Sequence, residues 1–289
     1  MKELHQGLYT GERALYNEHD LNIYDSTFAD GESPLKEGKN LKIFNSIFKW
    51  KYPLWYCDNV YVNNSQLLET ARSGIWYTNN IEMVDTMIEA PKTFRRSSHI
   101  KLTNCQMPIA DETMWNCNDI TINNCTAKGN YFGFNSYNVE IDNFKLNGNY
   151  AFDGAKNIHI KNSVFISKDS FWNCENVVVE NSTIIGEYLG WNSKNLTFIN
   201  CTIDSNQGMC YIDNIKMINC KLLNTDLSFE LCTNIDAKII SKIDSVKNPI
   251  SGKIEAKSIG EIIEDGMIYR GNKIDYNDTV IKTEEKDEI

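Results

Sequence analysis

Aromatic and charged side chains recur in this sequence at one position in every 19 to 21 residues. The series consists of Trp55, Trp76, Arg95, Trp115, Phe134, Asp153, Trp172, Trp191, Cys210 and Glu230. Charged residues within it indicate a solvent-facing position, because an unpaired buried charge is very costly. Large aromatics in a row on an exposed face usually mark a binding surface. We call this series the aromatic stripe.

Rings beside hydrogen-bonding side chains suit sugars, because the C–H faces of a sugar stack on rings while its hydroxyls need donors and acceptors. We therefore predict that the aromatic stripe binds an oligosaccharide. The predicted ligand-binding residues are Trp55, Trp76, Arg96, Trp115, Phe134, Trp172, Tyr188 and Trp191. The alternative is that loops, chain termini or a second subunit cover the stripe. The protein is then a non-catalytic interaction or assembly protein, and the stripe is the interface of a homo-oligomer.

Carbohydrate processing would need acids and bases on the same face. Hydrolysis of a glycosidic bond requires two carboxylates at a set separation, and elimination from an acidic sugar requires a base and a charge neutraliser. The candidate catalytic residues are Glu112, Asp153, Asp169, Glu187 and Arg95. Neither set is diagnostic, so the sequence leaves open whether the protein is an enzyme. As an enzyme it would be a polysaccharide lyase or a glycoside hydrolase.

The repeat that positions these residues is marked by an Asn or Asp before an apolar-x-apolar triplet. We call this residue position 0 of each repeat. It is occupied by Asp20, Asn40, Asn59, Asn80, His99, Asp119, Asn138, Asn157, Asn176, Asn195, Asn214 and Asn234. Self-similarity with a period of 19 to 21 residues predicts a solenoid.

Apolar or small residues occupy positions −5, −2, +1, +3, +6 and +8 of each repeat, as in the one around Asn176. A step of two keeps both side chains on one face of a strand, whereas a step of three must turn a corner. Positions 0 and +5 fall at corners and are mostly Asn or Asp, which tolerate the left-handed backbone conformation. Stacked coils would arrange these side chains in ladders.

The sequence thus predicts an all-β, single-stranded parallel β-helix of about 11–12 coils, each of 19–21 residues. The rule for parallel crossovers favours a right-handed coil. We expect one domain over residues 1–282, with an N-terminal cap at 1–19, coils at 20–239, and a last coil and C-terminal cap at 240–282. Residues 283–289 form a charged tail that we predict to be disordered.

Composition narrows the partners and the location. The net charge of −10 disfavours nucleic acid as the main partner. No apolar run approaches the length of a membrane span and no signal peptide is visible, so we expect a cytoplasmic protein without a membrane partner. Eight of the nine cysteines occupy inward positions −2 or +6, which favours reduced core thiols. We predict neither a metal site nor a cofactor.

Several segments resemble a known family. They include Gly11-Glu12-Arg13-Ala14-Leu15-Tyr16, Trp50-Lys51-Tyr52-Pro53-Leu54-Trp55-Tyr56, Ala71-Arg72-Ser73-Gly74-Ile75-Trp76-Tyr77, Lys168-Asp169-Ser170-Phe171-Trp172-Asn173 and Gly186-Glu187-Tyr188-Leu189-Gly190-Trp191-Asn192. Together they are similar to an uncharacterised bacterial domain-of-unknown-function family of the pectin-lyase-like superfamily. The resemblance spans nearly the whole chain and implies a right-handed β-helix. It implies no established activity and no catalytic residues, since β-helices host unrelated functions.

Overall fold

The computed structural model describes residues 2–284. Within that range the chain is all β, with two single-turn 3-10 segments at Glu69–Ala71 and Tyr276–Asp278 and no α-helix. It forms a parallel β-solenoid of about 14 turns, which confirms the predicted fold class. From residue 285 onward, the predicted disordered tail lies outside the described residues.

Backbone contacts divide the chain into two compact units, residues 1–148 and residues 149–289. Each coil of the first unit contributes one long and one short strand, and in the last two coils these merge into a single strand of 11 residues. The strands are β1 Lys2–His5, β2 Leu8–Tyr9, β3 His19–Tyr24, β4 Thr27–Phe28, β5 Lys39–Phe44, β6 Ile47–Phe48, β7 Asp58–Asn63, β8 Gln66–Leu67, β9 Asn79–Val84, β10 Met87–Ile88, β11 Ser98–Thr103, β12 Gln106–Met107, β13 Asn118–Lys128 and β14 Tyr137–Asn147.

The second unit continues the same pattern and ends in a small parallel pair and a hairpin. Its strands are β15 Lys156–Lys161, β16 Val164–Ile166, β17 Glu175–Glu180, β18 Thr183–Ile185, β19 Lys194–Ile199, β20 Thr202–Asp204, β21 Asp213–Leu223, β22 Thr233–Ile239, β23 Lys242–Lys247, β24 Gly252–Ala256, β25 Ser258–Ile263, β26 Ile268–Tyr269, β27 Asn272–Lys273 and β28 Thr279–Thr283.

Strands at equivalent places in successive coils pair in parallel and in register. In β17 and β19, for example, Val177 lies opposite Leu196 and Val179 opposite Phe198, so positions +1 and +3 of one coil meet positions +1 and +3 of the next. The pairing begins before position 0 of the first repeat, because β1 pairs with β3 and β2 with β4. It also continues past residue 239, because β24 pairs with β28. The coils beyond residues 20–239 raise the number of turns above the 11–12 counted from the repeat.

The inward positions form the core, as predicted. In the repeat around Asn176, the side chains of Phe171, Val177, Val179 and Ile184 are completely buried. Apolar burial is the main driving force for such a fold, at about 25 cal/mol for each Å² removed from water. Equivalent inward positions of successive repeats therefore stack into columns of buried side chains.

The corner residues adopt the left-handed conformation that the sequence predicted. Asn176 has φ of 60° and Asn181 has φ of 49°. Their side-chain amides form ladders, in which the amide of one coil donates to the side-chain oxygen of the preceding coil. One ladder runs from Asn214 to Asn195 and from Asn195 to Asn176, each at 2.8 Å. In the first unit, a ladder ends on a carboxylate, with Asn40 donating to Asp20 at 2.8 Å.

Buried hydroxyl and thiol groups at positions −2 and +6 bond to the backbone of neighbouring coils. The Cys174 Sγ donates to the carbonyl of Phe152 at 2.9 Å, and the backbone N–H of Cys174 donates to the Ser193 hydroxyl at 2.9 Å. All nine cysteines are free and buried. Burial raises the pKa of the thiols of Cys57 and Cys117 from 9.0 to about 12. These thiols are therefore neutral core groups.

Candidate functional site

In the first unit the aromatic stripe is a continuous surface stack. Trp55 and Trp76 are parallel within 9°, with ring centroids 5.1 Å apart. The guanidinium of Arg95 lies 5.1 Å from the Trp76 ring and 4.5 Å from the Trp115 ring. Phe134 extends the stack, with its centroid 4.9 Å from that of Trp115. These side chains are half-buried rather than in the core. Their faces contact one another, so the stack offers mainly ring edges to a ligand.

The tryptophans of the stripe are tied to the backbone of the next coil. The indole N–H of Trp76 donates to the carbonyl of Lys92 at 2.9 Å, and that of Trp115 donates to the carbonyl of Tyr131 at 2.8 Å. The acceptor is always the residue at position −7, where the backbone turns a corner with positive φ. The stripe therefore also has a structural role, which sequence reasoning missed because no side-chain pattern reveals a carbonyl acceptor.

Arg95 and Glu112, both predicted catalytic residues, form an ion pair with each other. The Glu112 carboxylate also lies 3.3 Å from the Lys92 ammonium. The Nε of Arg95 is buried and has no hydrogen-bond partner within the described part of the chain, a cost that the ion pair and the two aromatic contacts offset. This arrangement holds Arg95 in the stack.

In the second unit the stripe is interrupted. Trp172 and Trp191 stack with centroids 5.6 Å apart and planes within 10°. In the coil before them the equivalent position is Asp153, whose carboxylate accepts a hydrogen bond from Asn173 at 2.8 Å. A short side chain thus replaces a ring next to Trp172. Tyr150 stands perpendicular to Trp172 with centroids 6.2 Å apart.

A cleft of about 610 Å³ lies beside Trp172 and Trp191. It brings together four of the predicted residues, Asp169, Trp172, Tyr188 and Trp191, and adds four that the prediction did not select. The lining residues are Asn149, Tyr150, Lys168, Asp169, Trp172, Tyr188, Trp191 and Gln207. Tyr150, Lys168 and Gln207 come from positions −7 and −8, which the repeat pattern places beside the stripe. Glu112 and Arg95 belong to the other unit.

Glycine shapes one edge of the cleft. Gly186 precedes Glu187 and Tyr188, and its backbone passes close to the coil before it. A Cβ on Gly186 would lie 2.1 Å from the carbonyl oxygen of Ser167. Only glycine therefore allows the two coils to approach where Tyr188 enters the cleft.

The charged groups of the cleft differ in their surroundings. Asp169 is only 4% exposed. Burial raises the pKa of its carboxyl group, while the Lys168 charge and a hydrogen bond from the Tyr150 hydroxyl lower it, and the net shift is upward. Lys168 pairs with Glu187 at 2.7 Å and lies 5.4 Å from the centre of the Tyr188 ring. The cleft is thus lined by one carboxyl group whose pKa is raised and by one lysine that is paired with Glu187.

The last two residues of the stripe do not face solvent. Cys210 is fully buried and Glu230 is 3% exposed. Glu230 is neutralised by Lys247, whose Nζ lies 2.9 Å from the carboxylate. The expectation that a charge at this position must point outward is therefore wrong at Glu230, because a paired charge can be buried.

Within residues 2–284, no group of three or more His, Cys, Asp or Glu side chains is arranged to hold a metal ion. No helix in that range is long and apolar enough to cross a bilayer.

The model of a family described as a protein of unknown function, DUF3737, matches residues 2–277. The chain belongs to this family. This agrees with the resemblance noted in the sequence, and it brings no activity to the cleft. No curated protein sequence matches the chain.

Solved structures with a similar coiled repeat include enzymes and an adhesin. A PL6 alginate lyase in complex with a trisaccharide has a TM-score of 0.43 and 10% identity, covering 97% of this chain and 88% of that one. PfbA, a surface adhesin of Streptococcus pneumoniae, has a TM-score of 0.39 and 12% identity, covering 81% and 73%. The A-module of the Azotobacter vinelandii mannuronan C-5 epimerase AlgE4 has a TM-score of 0.28 and 11% identity, covering 97% and 85%. These low scores support no conclusion about the ligand of this chain.

Proposed function

We propose that this protein binds a carbohydrate, and that the cleft beside Trp172 in the second unit is the glycan site. The observation that carries the proposal is the interruption of the aromatic stripe at Asp153. A sugar ring needs an aromatic face, and most rings of the stripe cover each other's faces. At Asp153 no ring continues the stack, so Trp172 has Trp191 as its stacked neighbour and meets Tyr150 at a right angle, with centroids 6.2 Å apart.

The polar groups of the cleft fit the hydroxyls of a sugar. Asn149 and Gln207 carry amides, which both donate and accept hydrogen bonds. Tyr188 adds a phenol hydroxyl, and Asp169 adds a carboxyl group at the base. Pockets that combine apolar walls with a few polar groups are the usual form of small-ligand sites, and the volume of about 610 Å³ is in their range.

The test is a titration of the protein with neutral and acidic oligosaccharides, in which binding is measured by isothermal calorimetry and by intrinsic tryptophan fluorescence. The informative variant is Tyr188→Gln. Gln207 occupies the same position in the next coil with φ of 47°, so glutamine fits the backbone there. We expect the variant to bind about tenfold more weakly, which corresponds to about 1.4 kcal/mol.

Tyr131→Gln is the matched control, because Tyr131 occupies position −7 of a coil in the first unit. It should bind like the wild-type protein. If no oligosaccharide binds, or if Tyr188→Gln and Tyr131→Gln weaken binding equally, the proposal is wrong.

A hydrolase would use Asp169 as its proton donor, because a raised carboxyl pKa suits that role. Glu112 and Glu187 are instead engaged in ion pairs. This assignment stays a prediction. Asp169→Asn should abolish hydrolysis of any oligosaccharide that the wild-type protein cleaves, while binding persists.

Assembly is the second candidate function, and it is favoured by Tyr56 and Tyr77. These tyrosines are 46% and 37% exposed, and their rings stack 4.8 Å apart beside the stripe. A homo-oligomer built on this surface would cover them. Sedimentation velocity of the wild-type protein and of the Tyr56→Asn variant distinguishes the two functions, because only an assembly would dissociate in the variant.

A further inference from the structure

A second pocket lies in the first unit and has a different charge from the cleft. Its volume is about 370 Å³. It is lined by Trp76, Tyr77, Arg95, Arg96, Trp115, Asn116, Phe134 and Asn135. The pocket therefore combines two guanidinium groups and two amides with aromatic walls, and its lining contains no carboxylate.

The two arginines have different roles. Arg95 is fixed between Trp76 and Trp115 and is paired with Glu112. Arg96 is exposed, and its guanidinium lies 5.8 Å from the centre of the Tyr77 ring. Its guanidinium donates a long hydrogen bond from Nη1 to the Tyr77 hydroxyl at 3.3 Å.

The charge of Arg96 is uncompensated. Among residues 2–284, no Asp or Glu oxygen lies within 4.0 Å of its guanidinium nitrogens. The nearby cations Lys92 and Arg95 share the carboxylate of Glu112. In a chain whose net charge is −10, this leaves a local excess of positive charge at the pocket.

The amides beside Arg96 are also available. Asn116 and Asn135 occupy position −3 and are exposed, and neither side chain makes a hydrogen bond within the described residues. At the same position in the second unit the amide donors are already used within the protein. Asn192 donates to Asn173 and Asn173 donates to Asp153, each at 2.8 Å. The first unit thus keeps a row of free donors next to an unpaired guanidinium.

We infer that this pocket binds the oxyanion of a ligand, a carboxylate or a sulfate group carried next to hydroxyls. The planar guanidinium of Arg96 can donate two parallel hydrogen bonds to such a group. The amides of Asn116 and Asn135 bind the neighbouring hydroxyls, and Tyr77 and Trp115 border the ring that carries them. The site uses none of the residues of the glycan cleft, and it is tested separately.

The experiment is a ligand-observed NMR titration with glucuronate, glucose 6-sulfate and glucose, which share one ring. We expect one or both anions to bind at least about tenfold more tightly than glucose, and added salt to weaken their binding. Binding of the first anion alone would identify a carboxylate site, and binding of the second alone a sulfate site. Equal binding of all three compounds, or binding of none, would overturn the inference.

Arg96→Asn is the decisive variant, because Asn116 and Asn135 already occupy this position and Asn tolerates the φ of 48° found at Arg96. It should lose the preference for anions, whereas Arg96→Lys should keep part of it. Arg72→Asn removes an exposed arginine of the same unit outside the pocket and should change nothing. If Arg96→Asn binds anions like the wild-type protein, or if Tyr188→Gln removes anion binding, the ligand lies elsewhere and the inference is wrong.

Discussion

The indole N–H of Trp172 donates to the backbone carbonyl of Tyr188 at 2.6 Å. This bond links the aromatic stripe to position −7 of the next coil, and it directs Trp172 and Tyr188 to the same cleft. Equivalent bonds connect Trp55 to Ser73 and Trp191 to Gln207. The tryptophans of the stripe therefore hold the corners that carry the candidate binding residues.

Replacing a stripe tryptophan by phenylalanine should lower the free energy of unfolding even where no ligand binds. Trp76→Phe keeps a ring, as at Phe134, but leaves the Lys92 carbonyl without its donor. We expect a loss of about 1 kcal/mol, the usual net value of one hydrogen bond, measured by urea unfolding. Trp50→Phe, outside the stripe, should cost less. An equal loss in both variants would show that the indole bond contributes nothing.

Replacing Asn195 by alanine should lower the free energy of unfolding more than replacing it by glycine. Its φ is 57°, and its amide both donates to Asn176 and accepts from Asn214. Asn195→Ala loses these bonds and strains the backbone, at a combined cost of about 2 kcal/mol. Asn195→Gly loses the bonds without the strain. Urea midpoints give the order, and an alanine variant as stable as the glycine variant would contradict it.

The protein should lose stability above pH 9 through its buried thiols. The pKa of Cys57 and that of Cys117 are each raised from 9.0 to about 12, so the unfolded thiols ionise first. The contribution of these thiols to the free energy of unfolding is fully present below pH 9. It is lost as the pH rises toward about 12. We expect urea midpoints to fall less steeply with pH in a Cys57→Ser, Cys117→Ser variant. Serine occupies the same inward position at Ser97 and Ser136. Identical slopes would contradict the thiol contribution.

Asp169→Asn should become relatively more stable as the pH rises. The pKa of the Asp169 carboxyl is raised above 3.8 by burial, so its contribution is present below that value and is lost as the pH rises through the folded pKa. Asn tolerates the φ of 58° and can still accept the bond from Tyr150. The difference in urea midpoint between variant and wild type should therefore favour the variant at neutral pH. If the urea midpoint of the variant instead fell further below that of the wild type at neutral pH, Lys168 would be shown to hold the carboxylate charged.

The fold could be predicted from the sequence because its physical determinants are carried by side-chain types. Apolar residues at a fixed period mark the core columns, and Asn or Asp marks the corners at positions 0 and +5. The other corners are not visible in this way. Phe171 and Tyr188 have φ of 56° and 59°, and aromatic residues give no sign of a left-handed backbone.

The candidate site could be predicted only in part. The outward row of tryptophans follows from the period, but the stacking of its rings depends on the separation of the coils. Asp153 stays a predicted catalytic residue, and the structure adds that it is the short side chain that interrupts the stack. Lys168 and Tyr150 come from positions −8 and −7, which the period places beside the stripe, but linear spacing does not reveal the ion pair of Lys168 with Glu187 or the perpendicular contact of Tyr150 with Trp172.

The amide ladders make the fold sensitive to deamidation of its asparagines. In the ladder from Asn80 through Asn59 and Asn40 to Asp20, each inner amide both donates and accepts. Hydrolytic ageing of Asn59 to an aspartate would turn a donor into an acceptor and place two oxygens at a contact that now measures 2.8 Å. Asp20 cannot deamidate, because it already ends this ladder as a carboxylate. Deamidation of Asn59 would therefore loosen the contact with the coil of Asn40, whereas the bond from the Asn80 amide would persist.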